Sequence, residues 1–316
     1  MKFSSFLKLV EIQTKLASMV PFLLGTFYAV YHFRRIDFIG FLFLFISILT
    51  FDMLTTALNN YFDYKKAIRK YGYNYEIHNA IARDNLKETT VLITMLTLFV
   101  IATLFGILLV IKTNIIVLLV GMISFAIGIS YSFGPVPISR TPLGEAFSGF
   151  FMGFIIVFLA VYIHVYDKNI ISILFGNAML FVQMNYMELL YIFLLSIPPI
   201  CGIANIMLAN NICDMEDDIE NRRYTLPIYI GKKTALLIFK SLYYIAYAAI
   251  IILSAFRIVP LFYLLSLLTF IIVRKNIKLF EDKQSKEITF ALSVKNFLMI
   301  SGSQVLLLAI SSILKL

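Results

Sequence analysis

Residues 187–218 read MELLYIFLLSIPPICGIANIMLANNICDMEDD. The first two thirds of this stretch are almost wholly apolar, and the last third changes abruptly to amides and carboxylates. An apolar run of roughly 20 residues is long enough to cross a bilayer as a helix. Because ionisable groups beside a bilayer are costly to keep, carboxylates at such a helix end are candidates for a functional site.

The composition of the whole chain is typical of a membrane protein. Of its 316 residues, 60% are hydrophobic and 14% are charged, with a mean hydropathy of +0.89. A soluble domain has about 45–50% apolar and about 25% charged residues. The apolar runs are far longer than the roughly 10 residues that a barrel strand needs, so strands are not expected. We predict one all-α domain, residues 1–316, folded as a polytopic transmembrane helical bundle of about nine spans. The candidate spans are 15–33, 38–59, 89–111, 114–132, 143–165, 187–210, 235–254, 256–273 and 290–313.

The basic residues predict the orientation of this bundle. With a cytoplasmic N-terminus, 21 of the 27 Lys and Arg residues fall in inside segments. Such a bias follows the positive-inside rule and predicts a multi-pass protein of the cell membrane. The net charge of +9 is then mostly a matter of topology, with attraction to anionic lipid as a by-product, and it does not indicate nucleic-acid binding.

Four smaller features complete the reading of the chain. Cys201 and Cys213 are too few for a metal quartet, and a disulfide framework is not expected. Residues 170–185 are apolar but short; an interfacial helix on the outer face is one interpretation, and we assign no element to them. Residues 274–289 read as a solvated charge run. The first long apolar run continues into a full span, so we expect no cleavable signal peptide.

Two spans carry a polar stripe at their cytoplasmic ends. On the second span, Asp52, Thr56, Asn59 or Asn60, and Asp63 share one helical face. On the sixth span the same holds for Asn211, Asp214 and Asp218, whereas Glu216 and Asp217 point off the stripe. Asp52 lies deeper, where pairing with a Thr or Asn of a neighbouring helix competes with substrate contact.

Two facing stripes of this kind predict an anionic pocket, and the loops around them are basic. The surrounding cations are Lys65, Lys66, Arg69, Arg83, Arg140, Arg222 and Arg223. Carboxylates hold Mg²⁺, the metal bridges phosphate oxygens, and cations take the remaining charge. Interleaved acids and bases therefore favour a metal–diphosphate complex over a site for a monovalent cation alone.

Four stretches in series resemble the UbiA superfamily of intramembrane prenyltransferases, and within it the 1,4-dihydroxy-2-naphthoate polyprenyltransferases of menaquinone synthesis, the MenA type. They are Lys15–Ser18 with Pro21 and Gly25; Asn59–Asp63; Tyr131–Pro137 followed by Leu143–Glu145; and Asn210–Asp218 followed by Arg223 and Thr225–Leu226. The order and spacing match over most of the chain. The departures are Asn60, Ala67 and Cys213, where relatives carry Asp, a carboxylate and Arg, and Arg222 in place of Gly.

The resemblance implies a mechanism and a set of site residues. Mg²⁺ held by Asp63, Asp214 and Asp218 grips the diphosphate of a polyprenyl diphosphate donor, and an aromatic acceptor attacks the allylic carbon. For 1,4-dihydroxy-2-naphthoate the acceptor loses CO₂ and gives demethylmenaquinone. Tyr131 is expected near the developing cation. The other residues expected to bind substrate are Asn59, Asn60, Asn210, Asn211, Arg83, Arg140 and Arg223. With fewer carboxylates in the first motif, weaker metal binding or another substrate is also open.

Other functions stay open at this point. Within the same superfamily the acceptor could instead be 4-hydroxybenzoate, homogentisate, haem or a lipid glycerol phosphate. A cation-coupled transporter is a further alternative, based on the intramembrane Asp52. Transporter sites usually lie near the bilayer midplane, whereas these clusters lie at one face.

Overall fold

The long apolar runs form helices, because a helix satisfies its own backbone N–H and C=O groups where there is no water. A computed structural model describes residues 1–66, 79–176 and 179–314. Its α-helices are α1 Phe3–Leu9, α2 Leu16–Phe33, α3 Phe38–Lys66, α4 Ala80–Arg83, α5 Glu88–Lys112, α6 Ile115–Ser132, α7 Gly144–Ser148, α8 Ile156–Val165, α9 Tyr186–Cys213, α10 Met215–Glu220, α11 Leu226–Ile230, α12 Lys232–Ala255, α13 Phe270–Asp282 and α14 Phe290–Leu314.

Short segments of other helical types extend several of these helices. A 3₁₀ segment, Ile12–Lys15, leads into α2, and a π-helical segment, Gly149–Ile155, joins α7 to α8. Two more 3₁₀ turns, Ile138–Arg140 and Tyr166–Lys168, flank that joined helix.

The prediction of an all-α bundle of about nine spans is confirmed. Within the described ranges, eight helices are long and apolar enough to cross a membrane. The remaining predicted span, 256–273, forms the 3₁₀ segment Leu261–Thr269, which continues directly into α13. It differs from the others because it starts after Pro260 and runs into α13, which is charged from Arg274 onward.

Residues 170–185 contradict the expectation that strands are absent and form no interfacial helix. Strand β1, Ile171–Gly176, pairs antiparallel with β2, Met179–Met184, in the register Ile171↔Met184 through Gly176↔Met179. The segment is too short to cross the membrane as a helix. Pairing its two halves satisfies the backbone groups between them, and β-branched Ile171, Ile173 and Val182 favour strands.

The helix that carries the second acidic cluster is the most enclosed of the spans. In its apolar window 67% of residues are buried, against 17% for α6. Helix α9 contacts α12, α14 and the π-helical segment. At Gly153 the approach is so close that a Cβ atom would lie 2.6 Å from the backbone N of Ile200. The position of α9 is therefore set by backbone-to-backbone packing.

The loops that were counted as inside segments meet at one end of the bundle. The Asn60 amide donates to Leu9 O (3.0 Å) of the N-terminal segment, and Tyr224 N donates to Arg140 O (3.2 Å). Contacts at the opposite end include Arg35 with Asp167, at 2.5 Å. One end of the bundle thus gathers the basic loops and both acidic clusters.

Candidate active site

A cavity of about 1680 Å³ opens at this end and extends into the bundle. Its inner wall is largely apolar and includes Phe51, Phe125 and Leu118, while its mouth is lined by charged and amide side chains. The lining comes from α2, α3, α5, α6, α7, α8, α9 and α14, from the π-helical segment and from loops at the mouth. A single cavity therefore joins a polar mouth to an apolar interior.

The first acidic cluster lies at the end of α3. Asp63 Oδ2 accepts a hydrogen bond from Asn59 Nδ2 (3.2 Å), and Asn59 Oδ1 accepts from Ser132 Oγ (3.2 Å). Asp63 Oδ1 lies 3.4 Å from Arg140 Nη2. The helical spacing of Asn59 and Asp63 produces this contact, since residues four apart are neighbours on a helix.

Asp218 is the most enclosed carboxylate of the second cluster. Its Oδ1 lies 3.3 Å from Arg223 Nε, and its Oδ2 accepts from Thr225 Oγ1 (3.3 Å). Burial raises the pKa of Asp218 to about 6, and the charge of Asp214 adds to this rise, while Arg223 and Thr225 lower the pKa. The carboxyl therefore carries its proton to higher pH than an ordinary aspartate.

Asp214 pairs with a lysine that the sequence did not point to. Lys286 Nζ donates to Asp214 Oδ2. The reading of residues 274–289 as a plain solvated charge run is wrong at this residue, because the loop after α13 folds back over the cavity mouth. No signal in the local pattern separates Lys286 from Lys283, which is also exposed but does not line the cavity.

Arg140 links the first acidic cluster to the segment that follows the second one. Its guanidinium contacts Asp63, and its backbone O accepts from Tyr224 N (3.2 Å), next to Arg223. The structure thus brings the emergent ends of the second and sixth predicted spans to one cavity. A metal–diphosphate site formed by both acidic clusters requires these two helix ends to lie close together.

The other predicted site residues divide into three groups. Arg83, Tyr131 and Asn210 line the cavity, and Arg83 is half-exposed at its mouth. Asn60 touches the cavity, but its amide also donates to Glu11 Oε1 (3.1 Å) and so holds the N-terminal segment. Asn211 is buried, and its amide donates to Glu145 Oε1 (2.8 Å) rather than facing the cavity.

Of the remaining sequence features, Glu216 and Asp217 are exposed, as predicted. Ala67, Arg69 and His78 lie outside the described residues, as does the side chain of Lys66. Glu145, the buried partner of Asn211, belongs to the stretch Leu143–Glu145 that resembles the prenyltransferases, but the sequence pattern predicted no role for it. Its signal was a carboxylate at the start of an apolar span.

Asp52 lies deeper in the cavity wall and is paired. Lys15 Nζ donates to Asp52 Oδ1 (2.6 Å) and Thr56 Oγ1 (2.6 Å), and Ser18 Oγ donates to Asp52 Oδ2 (2.5 Å). The partners lie on α2 and on the 3₁₀ segment that leads into it, and the main partner is a lysine rather than the expected Thr or Asn. Lys15 was visible in the sequence as a charge at the start of the first span.

The donor set at the cavity mouth suits a hard divalent cation. Asp63, Asp214 and Asp218 offer only oxygen ligands, which Mg²⁺ prefers. Among the described residues, no three His, Cys, Asp or Glu side chains form a ready-made metal cluster. Mg²⁺ is commonly held by one or two carboxylates together with substrate phosphates and water. The residues therefore fit a cation that binds together with a phosphorylated ligand.

Comparison with known proteins finds a relative that is similar over most of the chain. The 1,4-dihydroxy-2-naphthoate octaprenyltransferase of Bacillus subtilis (strain 168) is 32% identical over 240 residues, which cover 76% of this chain and 70% of that protein.

Among solved structures, a UbiA homolog from Aeropyrum pernix K1 superposes with a TM-score of 0.68 at 18% identity, covering 93% of this chain and 98% of that one. A UbiA homolog from Archaeoglobus fulgidus bound to GPP and Mg²⁺ superposes with a TM-score of 0.64 at 12% identity, covering 97% and 98%. These two likenesses show the fold. The model of the UbiA prenyltransferase family matches residues 18–300, and the chain belongs to that family.

Proposed function

We propose that this chain transfers a polyprenyl group from polyprenyl diphosphate to 1,4-dihydroxy-2-naphthoate, with loss of CO₂, as a step of menaquinone biosynthesis. The observation that carries the proposal is the single cavity whose mouth gathers both acidic clusters and whose interior is apolar. The naphthoate acceptor is supported by the similarity to the Bacillus subtilis octaprenyltransferase.

The charged groups at the mouth account for binding of the diphosphate. Arg140 and Arg223 lie beside Asp63 and Asp218, and Lys286 lies beside Asp214. In the absence of ligand, each cation neutralises one carboxylate. When the diphosphate binds, the same cations can pair with phosphate oxygens, as arginine does with bidentate geometry.

The same carboxylates are our candidates for holding Mg²⁺. Asp63, Asp214 and Asp218 would each contribute an oxygen, with Asn59 fixing the orientation of Asp63. A bound Mg²⁺ supplies positive charge that stabilises the leaving diphosphate.

The interior of the cavity accounts for the rest of the donor. Phe51 stacks on Phe125 with ring centroids 4.0 Å apart, and Phe147 stacks on Phe151 at 6.0 Å, and all four rings line the cavity. An apolar wall accommodates a polyprenyl tail, and the faces of aromatic rings stabilise a nearby cation. Tyr131 has the same proposed role near the mouth. Together these side chains keep water from the allylic carbon.

The orientation follows from the basic loops. We place the cavity mouth on the cytoplasmic side of the cell membrane, since the loops that gather there carry most of the Lys and Arg residues. Labelling of single cysteines from either side of sealed cells tests this. A cysteine at exposed Lys283 that reacts only after the membrane is opened supports the assignment, and one that reacts from outside contradicts it.

The activity is tested with purified protein, Mg²⁺, polyprenyl diphosphate and 1,4-dihydroxy-2-naphthoate. We expect mass spectrometry to detect demethylmenaquinone and equimolar CO₂ release, both abolished by EDTA. Parallel reactions with 4-hydroxybenzoate and homogentisate test the other acceptors. Product from one of these, with none from the naphthoate, would overturn the acceptor assignment while keeping the prenyl transfer.

A transporter is the second class to be excluded. Membership of the prenyltransferase family and the position of the clusters at one face both disfavour it. Uptake of labelled solute into liposomes, with no chemical product, would contradict our proposal.

A further inference from the structure

Asp52 is a carboxylate in the cavity wall that the diphosphate site does not use. Its side chain is 13% exposed and lines the cavity, whereas that of its partner Lys15 is 4% exposed. Ser18 Oγ donates to the second carboxylate oxygen at 2.5 Å. Lys15 and Ser18 therefore hold Asp52 in one orientation, and part of its carboxylate faces the cavity.

This arrangement costs free energy that an apolar pair would not. Removing two charges from water carries a desolvation penalty that their attraction does not reliably repay. All three Lys15 N–H donors are satisfied, by Asp52 O (3.0 Å), Asp52 Oδ1 (2.6 Å) and Thr56 Oγ1 (2.6 Å). A pair serving only to join α2 and α3 would gain nothing from facing a cavity. Intramembrane ionisable groups of this kind mark functional positions by default.

The depth of Asp52 places it beyond the diphosphate. Asp52 and Asp63 are eleven residues apart on α3, which corresponds to about 16 Å along a helix. Between them Thr55, Thr56 and Asn59 line the same cavity. This distance leaves room for a diphosphate at Asp63 and a fused aromatic ring next to it.

The polar groups of the cavity wall around Asp52 favour one part of the substrates over the others. A prenyl tail offers no donor to the acceptor positions of Asp52 that face the cavity, and leaving buried acceptors without a hydrogen bond is unfavourable. A ring hydroxyl is a donor that suits a carboxylate, and a hydrogen bond to a charged acceptor is stronger than a neutral one. Carboxylate oxygens have about four acceptor positions, of which Lys15 and Ser18 occupy two.

We infer that Asp52 accepts a hydrogen bond from a ring hydroxyl of the aromatic acceptor, and that the Lys15–Asp52–Ser18 group thereby selects hydroxylated rings and sets their orientation. The inference rests on the proposed function and adds a specificity-determining residue to it. Lys15 acts through Asp52, and we regard it as a positioning residue.

The test compares 1,4-dihydroxy-2-naphthoate with analogues in which one hydroxyl or the other is a methyl ether. The wild type should discriminate against one analogue in kcat/KM by about tenfold to hundredfold, the range expected for a hydrogen bond to a charged group. In D52N this discrimination should fall to within about threefold, while the KM for the donor stays unchanged.

A second variant separates this role from folding. Lys15→Met combined with Asp52→Leu removes both charges and leaves no unpaired partner, which is often tolerated. This double variant should also lose the difference in kcat/KM between the dihydroxynaphthoate and its methyl ether. Thr50→Val on the same helix is the matched control, because the Thr50 hydroxyl bonds to Ile46 O (2.6 Å) and lies outside the cavity lining. It should keep the wild-type preference.

The outcomes are distinguishable. Full discrimination in D52N, with normal turnover, overturns this inference and leaves the proposed function standing. Absence of any prenylated aromatic product from the wild type overturns the proposed function and this inference together.

Discussion

The guanidinium of Arg140 meets the carboxylate of Asp63 at the cavity mouth, with Nη2 lying 3.4 Å from Oδ1. Because Arg140 O also accepts from Tyr224 N, this one residue connects the loop after α6 to Asp63 and to the segment that follows the second acidic cluster. A side chain in this position can shift from a carboxylate to a phosphate without a change of fold.

Replacing Arg140 should weaken donor binding. We expect R140A to lower kcat/KM for polyprenyl diphosphate by about tenfold to hundredfold, as for the loss of a charge-assisted hydrogen bond. R140K should recover only part of this, since a lysine lacks the bidentate fork. Steady-state kinetics with varied donor measures both. R274A is the control, because Arg274 is exposed and lies outside the cavity lining. An equal loss of kcat/KM in R274A would contradict the role of Arg140 in donor binding.

Neutralising Asp214 should abolish most of the metal-dependent activity. D214N keeps the shape of the side chain but removes a negative charge from the proposed Mg²⁺ site, and we expect kcat/KM to fall by about hundredfold or more. Titration of activity with Mg²⁺ should show a higher half-saturating concentration. E216Q is the matched control, since Glu216 is exposed and does not line the cavity. Unchanged turnover in D214N would contradict the role.

Lys286 competes with a cation for Asp214. Its side chain is 43% exposed, and ion pairs of such side chains contribute about 0–1 kcal/mol. In the absence of donor, K286M should therefore bind Mg²⁺ about twofold to fivefold more tightly. Isothermal titration of the detergent-solubilised protein measures this, with K283M as control. Weaker binding in K286M would show that the lysine does not compete.

Metal binding should depend on pH through Asp218. Burial raises the pKa of its carboxyl to about 6, and the cation must displace the proton. Affinity for Mg²⁺ is therefore expected to be full well above pH 6 and to decline as the pH falls through this value. The Thr225 hydroxyl lowers this pKa by hydrogen bonding, so T225V should move the midpoint to higher pH. Mg²⁺ titrations between about pH 5 and 8, on both sides of the raised pKa, check this. A midpoint that T225V leaves in place would refute this role of the threonine.

The contact at Gly153 should be intolerant of side chains. Because a Cβ atom there would lie 2.6 Å from Ile200 N, G153V should separate the π-helical segment from α9 at a cost of about 1–3 kcal/mol. We expect a lower thermal denaturation midpoint in detergent and reduced activity. G302A is the control, since a Cβ at Gly302 meets nothing within 4 Å. Equal midpoints for the two variants would contradict the packing argument.

The sequence by itself determined the class of fold and pointed to the carboxylates that the structure gathers at one cavity mouth. The length of an apolar run predicts a membrane span. Because residues four apart are neighbours on a helix, the spacing of Asn59 and Asp63 predicts their contact. Charges at the end of an apolar run are visible without knowledge of any neighbour. Asp214 and Asp218 could therefore be predicted as candidates from local pattern alone.

Only the tertiary structure decided which partner each polar group takes. Asn60 and Asn211 lie on the predicted stripes, yet they hold Leu9 and Glu145, because helix rotation is set by packing on all sides. Lys286 and Lys283 look alike in sequence, and only the return of the loop to Asp214 separates them. The hairpin of residues 171–184 depends on pairing between two short segments, which apolar length does not encode. Contacts between residues far apart in the chain arise from the shape of the whole bundle, and a local pattern carries no record of that shape.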